Sequence, residues 1–77
     1  MTLVGEIMSK ELETIDLSST AQESAIKMSD KNVSSLVALD DSGRAIGIIT
    51  ERDLVRRVCT KGVPSNSVKV ENLISSP

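Results

Sequence analysis

Thr50 and Asp53 stand three residues apart in Gly47-Ile48-Ile49-Thr50-Glu51-Arg52-Asp53-Leu54. A hydroxyl followed by a carboxylate at that spacing has two uses. As N-cap and third residue of a helix, the two side chains satisfy each other's free backbone N–H groups. At a helix N-terminus that faces a ligand, the hydroxyl can donate to a phosphate. The short carboxylate can then accept from both hydroxyls of a ribose. The two uses are compatible, because capping holds Thr50 ready. Arg52 lies in the same first turn and suits phosphate neutralisation; its alternative is solvated helix surface. Arg56 and Arg57 read as surface, with Asp53 paired to one of them at i,i+3 or i,i+4.

Other chemistry is scarce. The chain has no His and a single Cys, so it can form neither an internal disulfide nor a conventional zinc cluster. Cys59 has no His for a dyad and reads as a small buried hydrophobe beside Val55 and Val58. Asp40 and Asp41 are turn formers, not an acid–base pair. The chain is therefore read as a non-enzyme.

The elements that must position Thr50 and Asp53 follow from hydrophobic spacing. Residues 45–49 form a buried strand that runs straight into a helix over 51–61. Leu54, Val55, Val58 and Cys59 are its expected buried stripe, and Gly62 its stop. Upstream, 12–17 alternate as a short strand. Thr20-Ala21-Gln22-Glu23 is a capping box that opens a helix over 21–31. Ala21, Ala25 and Met28 share one face of it, Glu23 and Lys27 pair on the other, and Asn32 is a left-handed cap. The apolar run in 34–39 is a second strand, with burial expected on both faces. Asp40-Asp41-Ser42-Gly43 turns the chain back into the strand that leads to Thr50. Residues 63–69 are loop.

The opening of the chain then returns. Val70-Glu71-Asn72-Leu73-Ile74-Ser75 repeats the hydrophobic pattern of Val4-Gly5-Glu6-Ile7-Met8-Ser9 at an offset of 66 residues. Residues 1–69 thus read as one unit, and 70–77 as a linker and the start of a second. The segment at 3–9 is a short docking helix or a linker that packs on the body.

Seventy-seven residues allow one small domain, which buries only about 60% of its unfolded surface. Chains below ~80 residues usually add a disulfide, a metal or a partner; a partner surface is what remains here. The core has no Phe, Tyr or Trp, which excludes a nucleic-acid reader that stacks bases on aromatic rings. The net charge is −2 with dispersed signs, so no basic field exists for a phosphodiester backbone. No apolar run approaches the ~20 residues of a membrane span, and the first ten residues lack the plan of a signal peptide. One Cys fits a reducing compartment, so the expected location is cytoplasmic.

The order short helix, strand, helix, strand, turn, strand, helix, then the start of another unit resembles the CBS domain family, named after cystathionine β-synthase. Val4, Ile7, Met8, Thr14-Ile15, Ala25, Met28 and 33–37 carry the resemblance. Gly47-Ile48-Ile49-Thr50-Glu51-Arg52-Asp53 carries it most, as the family's Gly-hydrophobic-x-Ser/Thr-x-x-Asp signature. The resemblance implies an α+β unit, a small three-stranded sheet with two main helices on one side. The other face is paired with a second repeat or a second copy of the chain. It implies no required cofactor. It implies regulation by an adenosine nucleotide, AMP, ADP, ATP or S-adenosylmethionine, held in a cleft between paired repeats. Thr14, Ile15, Val33, Ser34 and Ser35 match positions that line the purine pocket, facing Thr50, Arg52 and Asp53 of the other repeat. The alternative is a dimerisation or assembly module without a working nucleotide site.

Overall fold

Two capping boxes and two glycine turns divide the chain into its elements. A computed structural model describes residues 12–74; the expected docking segment at 3–9 lies outside them. The order is β1 (Thr14–Asp16), α1 (Ala21–Lys31), β2 (Ser35–Leu39), β3 (Ala45–Thr50) and α2 (Glu51–Leu54), which continues as a π-helical turn over Val55–Cys59. A 3-10 turn over Val70–Asn72 follows. The sheet runs β1-β2-β3, with β1 parallel and β3 antiparallel to β2. The helix α1 is the crossover between the parallel pair, as a parallel connection requires.

The helix α1 forms where its sequence directs. Thr20 accepts from Glu23 N at 3.1 Å, and the Glu23 carboxylate accepts from Thr20 N at 2.8 Å. Asn32 ends the helix at φ 56°, donating back to Met28 and Ser29 carbonyls. The buried stripe is Ala21, Ser24 and Met28, not Ala21, Ala25 and Met28; Ala25 is exposed. A buried serine costs little there because its Oγ donates to the Thr20 carbonyl. The expected Glu23–Lys27 pair is also absent. The Glu23 carboxylate is occupied by Thr20, while Lys27 Nζ reaches across to donate to the Thr14 carbonyl.

The hairpin between β2 and β3 closes on Asp40, whose Oδ1 accepts from Ser42 N and Arg44 N at 2.9 Å each. Gly43 sits at φ 82°, which a side chain would strain. Leu36 pairs with Ile49 on the face toward the helices, and both are fully buried. Val37 pairs with Ile48 on the opposite face. Val37 is half-buried and Ile48 is 49% exposed. Burial on both faces of β2 is thus half met within this chain: one face carries the core, and the other is apolar and uncovered.

On α2 the buried row is Leu54 and Val58 alone; Val55 and Cys59 are exposed. The expected four-residue stripe is too wide because only one row of the helix meets the core. The π turn closes with Thr60 N on the Val55 carbonyl at 2.9 Å, a five-residue reach. Asp53 pairs with neither Arg56 nor Arg57; its carboxylate is held by Thr50. Gly62, at φ 67°, ends the helical run as expected.

The last described segment belongs to the same core. Val70 and Leu73 are fully buried against Ala21, Met28, Leu36, Ala38 and Ile49 in one cluster.

The hydrogen bonds from Thr20, with help from Lys69, hold the Glu23 carboxyl below the usual glutamate range. A depressed carboxyl contributes stability above its unfolded value, and that contribution is lost as pH falls through the folded one. Urea unfolding should therefore show a larger penalty for Glu23→Gln, which removes the charge, at pH 7 than at pH 3. An equal penalty at both would mean that the Glu23 charge contributes nothing.

Candidate functional site

The backbone at Thr50 is still extended, at φ −122° and ψ 164°, and the helix begins with the next residue. That sharp change is held from three sides. Thr50 N donates to Asp53 Oδ2 at 3.0 Å, and Asp53 N donates to Thr50 Oγ1 at 3.2 Å. The Thr50 hydroxyl itself donates to Oδ2 at 3.1 Å. Glu51 N, the first free amide of α2, donates to the Ser34 carbonyl at 3.0 Å. The capping reading of Thr-x-x-Asp is thus realised in full. Both Thr50 bonds fall on Oδ2, which leaves Oδ1 as the acceptor for anything else.

The sheet register sorts the remaining candidates. Ser35 pairs directly with Thr50, and Thr14 pairs with Val37. Thr14, Ser35 and Thr50 therefore share the uncovered face of the sheet, since side chains alternate along each strand. Val37 and Ile48 lie on that face between them. Ile15 faces the other way and packs against the core, as does Val33. Arg52 is exposed and Asp53 half-buried. The resemblance sets Ser34 across a cleft from the Thr50 of another repeat. Within this chain the two are also neighbours, through the Ser34 carbonyl and Glu51 N.

An open groove of about 580 Å³ lies on the helical side, between α1 and the start of α2. Met28, Asn32, Val33, Ser34, Glu51 and Leu54 line it. Thr14, Thr50, Arg52 and Asp53 do not. The candidates thus separate: Val33 and Ser34 lie at the groove, Thr14, Ser35 and Thr50 on the uncovered sheet face, Arg52 and Asp53 in the first turn of α2, and Ile15 against the core. Two residues with a part in these places carry no sequence signal for it. Lys27 holds the carbonyl of Thr14, although its spacing from Glu23 points to a surface ion pair. Glu51 walls the groove from a position that reads only as a helix-start acid.

Among the described residues, no cluster of His, Cys, Asp and Glu is placed to hold a metal ion. None of their helices is long and apolar enough to cross a membrane.

The profile of the CBS domain family matches residues 4–60. An uncharacterised protein of Methanopyrus kandleri is 36% identical over 74 residues, 96% of this chain and 38% of the relative. Two solved structures share the fold. A Burkholderia ambifaria protein with CBS domains superposes with a TM-score of 0.83 at 22% identity, covering 100% of this chain and 60% of the other. A hexameric CBS-CP12 protein from bloom-forming cyanobacteria superposes at 0.80 with 26% identity, covering 100% and 45%. The chain spans 38%, 39% and 51% of the lengths of three curated relatives it matches.

The capping role of Thr50 has a direct test. Thr50→Ala should cost ~1 kcal/mol in urea unfolding, and Thr50→Ser should retain most of the lost stability. A neutral Thr50→Ala would mean that the cap does not hold the strand-to-helix turn.

Proposed function

We propose that this chain, which belongs to the CBS domain family, is a regulatory unit that binds an adenosine nucleotide when its uncovered sheet face is paired. The observation that carries the reading is the junction at Thr50. A hydroxyl and a half-buried carboxylate with Oδ1 to spare meet there at one end of that face, and an exposed arginine, Arg52, lies in the same first turn. Asp53 Oδ1 would accept from the ribose hydroxyls. Thr50 Oγ1 would turn its proton to a phosphate or ribose oxygen, and Arg52 would neutralise phosphate charge. Thr14 and Ser35 add hydroxyls on the same face, and Ile15, Val33 and Ser34 flank it from the core side and the helical groove. The purine would lie against aliphatic side chains, because the chain has no aromatic residue to stack on it.

Pairing is part of the same reading. Ile46 and Ile48 are 38% and 49% exposed on β3, beside half-buried Val37 and Leu39. A second repeat or a second copy of the chain would cover them and complete the cleft. Apolar rows of this kind favour association over exposure to water. The ligand would act by binding one pairing geometry more tightly than another, since only differential affinity shifts such an equilibrium. The matching part of a homoserine O-acetyltransferase occupies 14% of that enzyme, which fits a small unit attached to a larger activity.

The exposed aliphatic face also supports a second reading, assembly without a nucleotide. Isothermal calorimetry on the paired chain against AMP, ADP, ATP and S-adenosylmethionine separates them. At least one should bind, and Asp53→Ala should weaken it tenfold or more, which is about 1.4 kcal/mol. Its sedimentation should be unchanged. No binding by any of the four to a paired chain removes the sensing reading and leaves assembly. Ile48→Asp should abolish pairing in sedimentation equilibrium; a variant that pairs like the wild type would place the interface elsewhere.

A further inference from the structure

Parallel pairing fixes which way each backbone group of β1 points. Val37 N donates to the Glu13 carbonyl and Leu17 N to the Leu39 carbonyl, so residues 13, 15 and 17 turn their backbone groups toward β2. Thr14 and Asp16 turn theirs outward, along the edge of the sheet. Both outward carbonyls of the strand are taken. Lys27 Nζ donates to the Thr14 carbonyl from α1, and Ser19 N donates to the Asp16 carbonyl at 3.0 Å. The second closure is local, made by the turn that follows the strand. The first is brought by the fold from 13 residues along the chain.

Lys27 is half-buried in this position. It is released for it because its helical neighbour is engaged: the Glu23 carboxylate accepts from Thr20 N and Thr20 Oγ1 at 2.8 and 3.2 Å. An ammonium on a strand edge blocks it twice. It occupies the acceptor to which a new strand would donate, and its charge would lose water if another chain covered it.

The opposite edge, on β3, is only partly closed. Val37 points its backbone toward β1, so Ile48, its partner across the β2–β3 ladder, points its own outward, as does Thr50. Thr50 N is engaged by Asp53 Oδ2 at 3.0 Å. The start of β3 is broken by the register shift opposite Ala38 and Leu39. Ile48 lies between these two closures, its side chain 49% exposed. A sheet with two receptive edges adds copies head to tail without end, whereas a sheet with one closes at most as a pair. The state of the β1 edge therefore decides between the two.

We propose that Lys27 is the gatekeeper of this sheet: by holding the Thr14 carbonyl it keeps β1 from receiving the β3 edge of a second copy. Association of copies by sheet extension is thereby suppressed, and the outer face of the sheet is left as the surface for pairing. This role is independent of any nucleotide.

The test removes the donor and the charge and keeps the stem. Lys27→Met has nearly the helix propensity of the wild type. In sedimentation equilibrium its mean mass should keep rising with concentration, where that of the wild type levels off. Lys27→Arg, which keeps both donor and charge, should sediment as the wild type. Hydrogen exchange then locates the new contact. In the assembled Lys27→Met chain the amides of Thr14, Asp16 and Ile48 should exchange about tenfold more slowly than in the wild type, one added hydrogen bond each. The amide of Ile49, inside the sheet, should keep its protection. If dilute Lys27→Met loses its helical circular-dichroism signal, Lys27→Ala, with the better helix former, takes its place in the same measurements. A folded variant that sediments as the wild type overturns the proposal. Assembly in which Ile49 loses protection, or in which Thr14 and Asp16 gain none, also overturns it, as does a Lys27→Arg chain that assembles like Lys27→Met.

Discussion

Everything in this unit depends on the chain turning from strand to helix at Thr50 without a gap. The reciprocal bonds between Thr50 and Asp53 make that turn, and the Ser34 carbonyl anchors the first helical amide behind it. On one side of the turn, β3 places Ile49 against Leu36 in the core. On the other, α2 lays Leu54 and Val58 over the same core. The groups that make the turn are also those proposed to meet a ligand. This economy has a physical basis: a hydroxyl and a carboxylate already held by the backbone need little further ordering on binding.

The second constraint is the size and composition of the core. With no aromatic side chains, the interior is built from Ala, Val, Leu, Ile and Met. A small aliphatic core cannot leave an end open, and here the end is closed by a segment that arrives after the α2 loop. Val70 and Leu73 seal it as fully as Leu36 and Ile49 fill its centre. The sheet's outer face is left with Ile46, Ile48, Val37 and Leu39 unsealed, and this is the face on which pairing and binding are proposed to meet.

Much of this plan was legible in the residues. Thr20-Ala21-Gln22-Glu23 and Asn32 bracket α1 because caps act locally, through neighbours in sequence. Asp40 to Gly43 marks its turn for the same reason. What periodicity could not supply was the width of each buried stripe. Ala25, Val55 and Cys59 sit next to buried rows, and only the packing decides that they stay outside. The α-to-π change at Val55 had no signal in composition. The candidate site was legible in its junction and less so in its surroundings. Thr50 and Asp53 announce their geometry by spacing. Ile15 was expected at a pocket and lies against the core, because a strand's two faces are assigned by register. Lys27 was expected on Glu23 and lies on the Thr14 carbonyl, because its partner is brought by topology.

The Thr50–Asp53 junction is proposed to receive an adenosine nucleotide. Titration of the isotopically labelled, paired chain with each nucleotide, followed by amide resonances, tests it most directly. Saturable shifts centred on Thr50, Glu51, Arg52 and Asp53 are expected, with smaller ones at Thr14 and Ser35. Shifts confined to the helical groove at Asn32 and Val33, or none at millimolar nucleotide, would contradict it.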